Sequence, residues 1–267
     1  MYPFEYRKAT GVAEAVTLLS ENENSRPLAG GMSLLPALKH RLSAPARLVD
    51  IGAIGSLSFI KRTDKHLSIG AATIHETVAE SADVTRTIPA IPELAARIGD
   101  VQVRHRGTIG GSIANNDPAA CYPSAVLGLD ATIHTDRRAI KSDAFFTGMF
   151  ETALEPGELI TRIDFPVPDA ASYVKFHNMA SRFSIVGVFV ARFGKTARVA
   201  VTGAGTKVFR VAEFESRLAA EFAPKALEGA EISPEGLISD VHGDADYRAH
   251  LISVLAQRAV ANCAAQN

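Results

Sequence analysis

The spacing of apolar and polar residues divides the first fifty residues into alternating helices and strands. Apolar side chains repeat at helical spacing in residues 11–20, and a short apolar run at 27–29 predicts a strand that ends in two glycines. Ser33 is a suitable N-cap for a helix that follows these glycines. Residues 47–51 predict a second strand, so the expected order is α, β, glycine-rich loop, α, β.

A second series of elements follows. A strand at 66–71 leads into the sequence TIHE, which has the capping-box pattern with Thr73 as N-cap and Glu76 three residues later. Pro92 is placed to open a helix. Residues 107–118 carry glycines and polar side chains, and are therefore predicted as a glycine turn followed by an irregular, non-helical loop. The remaining elements expected here are a short helix after Pro123 and strands at 131–134 and 158–165.

Residues 165–172, with two prolines, an aspartate and a serine, are the best linker candidate in the chain. Beyond them the pattern predicts a sheet followed by helices. Strands are expected at 173–193 and 197–202, and helices at 211–222 and 246–263, the last with its N-cap at Asp244 or Asp246.

Composition limits the class of protein. Of the 267 residues, 47% are hydrophobic, which is enough for a substantial core. The net charge of −1 does not favour a nucleic-acid surface, and no apolar run approaches the roughly 18 residues of a membrane span. The two cysteines, Cys121 and Cys263, cannot by themselves hold an iron–sulfur cluster. We therefore expect a cytoplasmic protein with no nucleic-acid partner and no membrane span.

The first glycine loop, residues 29–42 (AGGMSLLPALKHRL), follows a predicted strand and leads into a predicted helix. Because Gly30 and Gly31 have no Cβ atom, backbone N–H groups there can approach a bulky anion. The Ser33 hydroxyl and the dipole of the following helix add to this attraction. The loop is therefore interpreted either as a pyrophosphate site or as a tight turn without a ligand.

The second glycine loop, residues 107–118 (GTIGGSIANNDP), again contains a glycine pair, Gly110 and Gly111. Its hydroxyl, amide and carboxylate side chains belong to Thr108, Ser112, Asn115, Asn116 and Asp117. Such groups suit ribityl hydroxyls or phosphate oxygens, although an Asx-rich turn has the same composition. Two such loops together suggest one dinucleotide held from both sides.

Other motifs fail on their spacing. GAGTKV at 203–208 lacks the third glycine of a Rossmann fingerprint, and HETVA at 75–79 lacks the second histidine of a zincin helix. His105 and His177 are possible bases by position alone. The sequence therefore predicts no catalytic residue and no metal ligand.

Both loops resemble the paired FAD-binding signatures of the medium subunit of aerobic carbon monoxide dehydrogenases, a module that also occurs as the flavin domain of xanthine dehydrogenases and aldehyde oxidases. The matching segments are AGGMSLLPALKHRL and QVRHRGTIGGSIANNDPAACYP. EPGELITRIDFPVP and YVKFHNMASRFSIVGV resemble the middle section of this family, and DADYRAHLISVLAQRAV resembles its C-terminal helix. The resemblance extends over nearly the whole chain.

The resemblance implies an α+β fold with two domains. Residues 1–168 would form a two-lobed FAD-binding domain of the vanillyl-alcohol-oxidase (PCMH) type, with lobes at about 1–55 and 56–168. Residues 169–267 would form a small C-terminal α+β domain, an antiparallel sheet plus helices. FAD would lie between the two lobes, and the C-terminal domain would approach its isoalloxazine ring.

The resemblance also implies which residues bind FAD. Backbone amides at 29–34 and 108–112 would hold the pyrophosphate, Phe183 would lie against the isoalloxazine ring, and Lys175 belongs to the same stretch as Phe183. The full predicted set is Ala29, Gly30, Gly31, Met32, Ser33, Leu34, Thr108, Ile109, Gly110, Gly111, Ser112, Asn115, Asp117, Lys175 and Phe183.

Three residues depart from the family's pattern. Met32 stands where a histidine is frequent, and Ser112 replaces a frequent asparagine while keeping a hydroxyl donor. Cys121 stands where many relatives have an aspartate, and a thiol accepts hydrogen bonds more weakly than a carboxylate. The role of the side chain at position 121 is therefore left open.

The implied function is that of the FAD-carrying electron-transfer subunit of a molybdenum hydroxylase complex. A large subunit would carry molybdopterin and a small subunit the [2Fe–2S] clusters, and the heterotrimer is expected to dimerise. Electrons would leave the FAD for a quinone, NAD or oxygen. Two alternatives stay open: a self-contained FAD oxidoreductase of the same fold, and a non-catalytic binding or assembly protein.

Overall fold

The computed structural model describes residues 1–265 and has the mixed α+β architecture that the sequence predicts. The N-terminal region contains, in chain order, β1 (Glu5–Lys8), α1 (Val12–Ser20), β2 (Ser25–Leu28), α2 (Leu34–Lys39) and β3 (Arg47–Asp50). The strands form a parallel sheet in the order β1-β3-β2, in which Leu28 pairs with Asp50. α1 packs on this sheet and buries Leu19. The predicted order of elements in this region is confirmed, with β1 in addition.

The second region is built on a five-stranded antiparallel sheet with short helices around it. Its elements are β4 (Ile60–Arg62), β5 (His66–Gly70), α3 (His75–Glu80), α4 (Ala82–Thr87), α5 (Ala90–Ala96), α6 (Val101–Arg104), α7 (Ile109–Asn115), α8 (Tyr122–Gly128), β6 (Thr132–Thr135), β7 (Ala139–Lys141), α9 (Ser142–Phe145), β8 (Phe146–Gly148), β9 (Glu151–Thr152) and β10 (Ile160–Pro166). The sheet order is β4-β5-β10-β6-β7, while β8 and β9 form a separate hairpin. Ile69, Ile133 and Ile163, from three adjacent strands, share one core with the helices.

Two predictions for this region are wrong. Residues 109–115, predicted as irregular loop, form α7, which buries Ile109 and Ile113 in the core. The Thr108 hydroxyl caps this helix by accepting a hydrogen bond from the Gly111 amide. The predicted capping box does not form, since α3 begins one residue later than the motif requires. The Thr73 hydroxyl instead bonds the backbone of Phe59.

The C-terminal region is a four-stranded antiparallel sheet between two layers of helices. Its elements are β11 (Ala170–His177), β12 (Ser184–Phe193), β13 (Thr196–Thr202), β14 (Phe209–Arg210), α10 (Ala212–Ala220) and α11 (Ala245–Ala264). Side chains of β12 alternate: Val188 packs among the side chains of α10 and α11, whereas Phe189 joins the core of the second region beside α8. Asp244 caps α11 by accepting from the Tyr247 amide at 2.8 Å, which confirms one of the two predicted caps.

The linker predicted at 165–172 is shorter in the structure. Pro166 still pairs within β10 and Ala170 already pairs within β11, so only residues 167–169 lie between these strands. The core of the second region continues across this connection through Tyr173.

Candidate cofactor site

A cleft of about 720 Å³ is bordered by all three regions. Four stretches of the chain supply most of its lining. Two of them are residues 25–34, at and after β2, and the stretch between 107 and 121, around α7. The other two are the stretch between 152 and 160, before β10, and residues 181–183, in the turn between β11 and β12. This volume lies in the range of pockets that bind small molecules and cofactors.

Residues 29–34 of the first glycine loop present six backbone amides that donate to no acceptor within residues 1–265. The last bond on the strand side runs from the Ile51 amide to the Leu28 carbonyl, at 2.9 Å. The first bond on the helix side runs from the Leu35 amide to the Gly31 carbonyl, at 3.0 Å. Because consecutive unpaired amides form a concave surface that attracts anions, this stretch is suited to bind phosphate.

Two glycines give the first loop its shape. Gly31 has a φ of +73°, in the left-handed region that favours glycine. Gly30 lies so close to the second glycine loop that a Cβ atom would be 2.0 Å from the carbonyl oxygen of Arg106. The two glycine loops are therefore in direct contact. Ser33 precedes α2 as predicted, but its hydroxyl makes no capping hydrogen bond.

The second glycine pair differs, because its amides are already bonded within the protein. The Gly110 amide donates to the Ala71 carbonyl at 2.9 Å. The Gly111 amide donates to the Thr108 hydroxyl at 3.1 Å, and the Ser112 amide donates to the Thr108 carbonyl at 2.9 Å. These three amides therefore have partners within the protein, and their role in holding the pyrophosphate stays a prediction. The Thr108 amide, by contrast, has no acceptor within residues 1–265.

A lysine and a cysteine meet in another part of the cleft. Lys175, in β11, donates from Nζ to the carbonyl oxygens of Arg97 at 2.8 Å and Arg182 at 3.0 Å. The same Nζ lies 3.4 Å from Sγ of Cys121. Cys121 is buried and immediately precedes α8 in the chain. Phe183, in the adjacent turn, is 51% exposed and offers an aromatic surface. This part of the cleft thus combines a cation with an open aromatic ring.

Sequence reasoning missed the wall formed by residues 154–159. The Glu158 carboxylate is buried there and accepts hydrogen bonds from Arg138 at 2.9 Å. These bonds lower the pKa of Glu158 to about 2 and keep it charged. The turn around Gly157, with a φ of +72°, is thereby held in place. The sequence EPGE at 155–158 is typical of a turn, and was the one available signal.

A buried histidine lies beneath the second glycine loop and was also missed. Burial and then the charge of Arg104 lower the pKa of His75 to about 4, so its imidazole is neutral at neutral pH. Its ring packs 5.3 Å from that of Tyr122, and a Cβ atom on Gly107 would lie 2.6 Å from its Nε2. His75 therefore supports the backbone of the second loop.

Fourteen of the fifteen predicted site residues line the cleft. They are Ala29, Gly30, Gly31, Met32, Ser33, Leu34, Thr108, Gly110, Gly111, Ser112, Asn115, Asp117, Lys175 and Phe183. The exception is Ile109, which is fully buried in the core. The possible bases His105 and His177 are not among the lining residues.

Neither a membrane-spanning helix nor a metal cluster is found in residues 1–265. No helix there is both long and apolar enough to cross a bilayer. No three His, Cys, Asp or Glu side chains there are grouped so that they could hold a metal ion.

Residues 2–168 match the family described as FAD binding domain in molybdopterin dehydrogenase. The glyceraldehyde dehydrogenase medium chain of Sulfolobus acidocaldarius is 34% identical, over 97% of this chain and 98% of that protein. The carbon monoxide dehydrogenase medium chain of Afipia carboxidovorans is 32% identical, over 96% of this chain and 95% of that protein.

Solved structures show the same similarity in the fold. Quinoline 2-oxidoreductase from Pseudomonas putida 86 gives a TM-score of 0.89 at 28% identity, over 99% of this chain and 98% of that one. Reconstituted CO dehydrogenase from Oligotropha carboxidovorans gives a TM-score of 0.90 at 31% identity, over 100% of both chains. The likeness in sequence and in fold thus covers essentially the full length.

Proposed function

Because this chain belongs to the family of FAD-binding domains in molybdopterin dehydrogenases, as the sequence resemblance predicted, we propose that it is the FAD-carrying electron-transfer subunit of a molybdenum hydroxylase complex. The observation that carries this proposal is the run of six free amides at 29–34, which face no acceptor within residues 1–265. A diphosphate bridge supplies the negative oxygens that such a run binds.

The cleft fits FAD in size and chemistry. The free amides, together with the Thr108 amide and the start of α2, supply donors for the diphosphate. Phe183 supplies an aromatic face and Lys175 a cation. Bound FAD supplies redox chemistry that no side chain of the cleft provides. The task of the chain's own residues is to bind the cofactor, orient it and set the charge around it.

Neither histidine proposed as a base from the sequence is placed to serve a self-contained oxidation of substrate. A self-contained oxidoreductase needs a base over the cofactor, and the two candidates from the sequence, His105 and His177, do not line the cleft. His75 does line it, but it is buried against the second loop. An electron-transfer subunit needs no such base.

We propose that the electrons reach this chain from partner subunits. Relatives are named medium chains, which implies larger and smaller companions. Cys121 and Cys263 are buried in different cores and cannot ligate a cluster together. A small subunit with [2Fe–2S] clusters and a large molybdopterin subunit would therefore stand upstream, in a dimerised cytoplasmic heterotrimer. The acceptor would be a quinone, NAD or oxygen.

The division of the chain follows the same proposal. Residues 1–168, which include the family match and both glycine loops, would be the FAD-binding domain, with lobes at about 1–55 and 56–168. Residues 169–267 would be the C-terminal domain that brings Lys175 and Phe183 to the cleft.

The test is cofactor content of the full chain, purified gently or together with its partners. We expect one FAD per chain from the visible absorbance spectrum, and uptake of FAD by chain that has lost it. ADP should compete with FAD because it has the diphosphate, whereas riboflavin should bind far more weakly. A chain that takes up no FAD, or that binds riboflavin as tightly as FAD, would overturn the proposal.

A further inference from the structure

The ammonium group of Lys175 is held by neutral acceptors. Its three contacts are the carbonyl oxygens of Arg97 and Arg182 and the sulfur of Cys121. Carbonyl oxygens orient a cation but do not cancel its charge. The hydrogen bonds therefore fix the position of Nζ without neutralising it.

Other groups around this contact leave the charge in place. The hydroxyls of Ser184 and Tyr173 lie beside Cys121, and burial raises the pKa of Tyr173 well above its usual range, so it stays neutral. Asp117, a carboxylate of the cleft lining, accepts a hydrogen bond from Ala119 and forms no ion pair with Lys175. Within residues 1–265, Lys175 pairs with no carboxylate.

We propose that the charge of Lys175, which no carboxylate compensates in the cofactor cleft, raises the reduction potential of bound FAD, and that Cys121, a neighbour without a carboxylate, leaves this charge in place. The inference rests on the proposed FAD-binding function and adds a role for Lys175. Reduced FAD is more electron-rich than oxidised FAD, so a nearby cation stabilises the reduced form. A carboxylate at position 121 would form an ion pair with Lys175 and cancel most of this field.

Replacing Cys121 by two side chains of nearly equal shape separates charge from packing. In the full chain loaded with FAD, we expect Cys121→Asp to lower the midpoint potential measured by spectroelectrochemical titration. Cys121→Asn has the same size as the aspartate but no charge, and should leave the potential close to that of the unmodified chain. A merely structural role of the thiol would move both variants alike.

Lys175 provides the second arm of the experiment. Lys175→Met removes the cation without shortening the side chain much, and should lower the potential on its own. On that background Cys121→Asp should shift the potential much less than it does beside the lysine, because a buried carboxylate without a cation takes up a proton. This arm tests the inference even if Cys121→Asp alone does not fold.

The outcomes separate the inference from the proposed function. Equal shifts for Cys121→Asp and Cys121→Asn, or an unchanged potential in Lys175→Met, would overturn the inference while FAD remains bound. A higher potential in Cys121→Asn would also overturn it, since the sulfur would then have been a thiolate that already cancelled the lysine. Failure of the unmodified chain to bind FAD would instead contradict the proposed function.

Discussion

The two glycine loops contain the same dipeptide and use it in different ways. At Gly30-Gly31 the backbone amides are free, and one glycine has a left-handed conformation. At Gly110-Gly111 the amides are bonded within the protein, and both residues have helical conformation in α7. The first pair presents donors to the cleft, whereas the second pair lets a helix approach the backbone beneath it.

A glycine pair in a sequence does not by itself indicate a ligand site. The absence of a Cβ atom tells us that space is short, but it does not tell us what occupies that space. A Cβ atom on Gly30 would meet the backbone of Arg106, and one on Gly110 would meet Ala71. Binding of the cofactor and stability of the fold should therefore respond to different glycines.

Gly30→Ala is expected to have the largest effect, and on FAD binding. Its Cβ atom would lie 2.0 Å from the Arg106 carbonyl oxygen and 2.8 Å from Gly107 Cα, so the free amides must shift away from the second loop. We expect FAD affinity to fall at least tenfold, which corresponds to about 1.4 kcal/mol or more. Fluorescence titration of FAD against the cofactor-free chain measures this loss.

Gly55→Ala is the matched control, because nothing lies within 4 Å of the added Cβ atom. It should bind FAD as the unmodified chain does. If Gly30→Ala folds and also binds FAD with unchanged affinity, the first loop is not the phosphate site and the comparison of the two loops fails.

Gly110→Ala should affect stability more than binding. Its Cβ atom would lie 2.6 Å from both the Cβ and the carbonyl oxygen of Ala71, so α7 must move away from the segment after β5. Such overpacking costs about 1–3 kcal/mol, measured as the free energy of unfolding in urea. Gly111→Ala is the neighbouring control and should cost less, since its Cβ atom meets only the Thr108 hydroxyl. A stable Gly110→Ala chain with weak FAD binding would reverse the roles assigned to the loops.

Much of the site could be predicted because its signals are local. The first loop lies between a short strand and a short helix, and the sequence predicts both. Lys175 and Phe183 were placed at the cleft by resemblance alone, and both line it. A turn residue depends on a few neighbours in the chain and can be recognised from the sequence alone. Among the predicted helix caps, only the one at α11 is confirmed, at Asp244.

The missed features depend on distant parts of the chain. α7 contains two glycines and has weak helix propensity, and it forms because Ile109 and Ile113 are buried in the core. The contact between Lys175 and Cys121 joins residues 54 positions apart. No local pattern shows that two such side chains meet, so the charges around the cleft could not be predicted from the sequence.

The smallest expected effects concern the hydroxyls of Ser33 and Thr108, which stand immediately before α2 and α7. The Thr108 hydroxyl accepts from the Gly111 amide at 3.1 Å, whereas the Ser33 hydroxyl makes no capping bond. In the cofactor-free chain, Thr108→Ala should therefore lose about 1 kcal/mol of unfolding free energy, the usual value of an N-cap. Ser33→Ala should change it by less than about 0.5 kcal/mol, as at an ordinary exposed position. Equal losses in urea denaturation would mean that the first loop also uses its serine to hold the helix, and that its amides are less open to a ligand than the bonding pattern indicates.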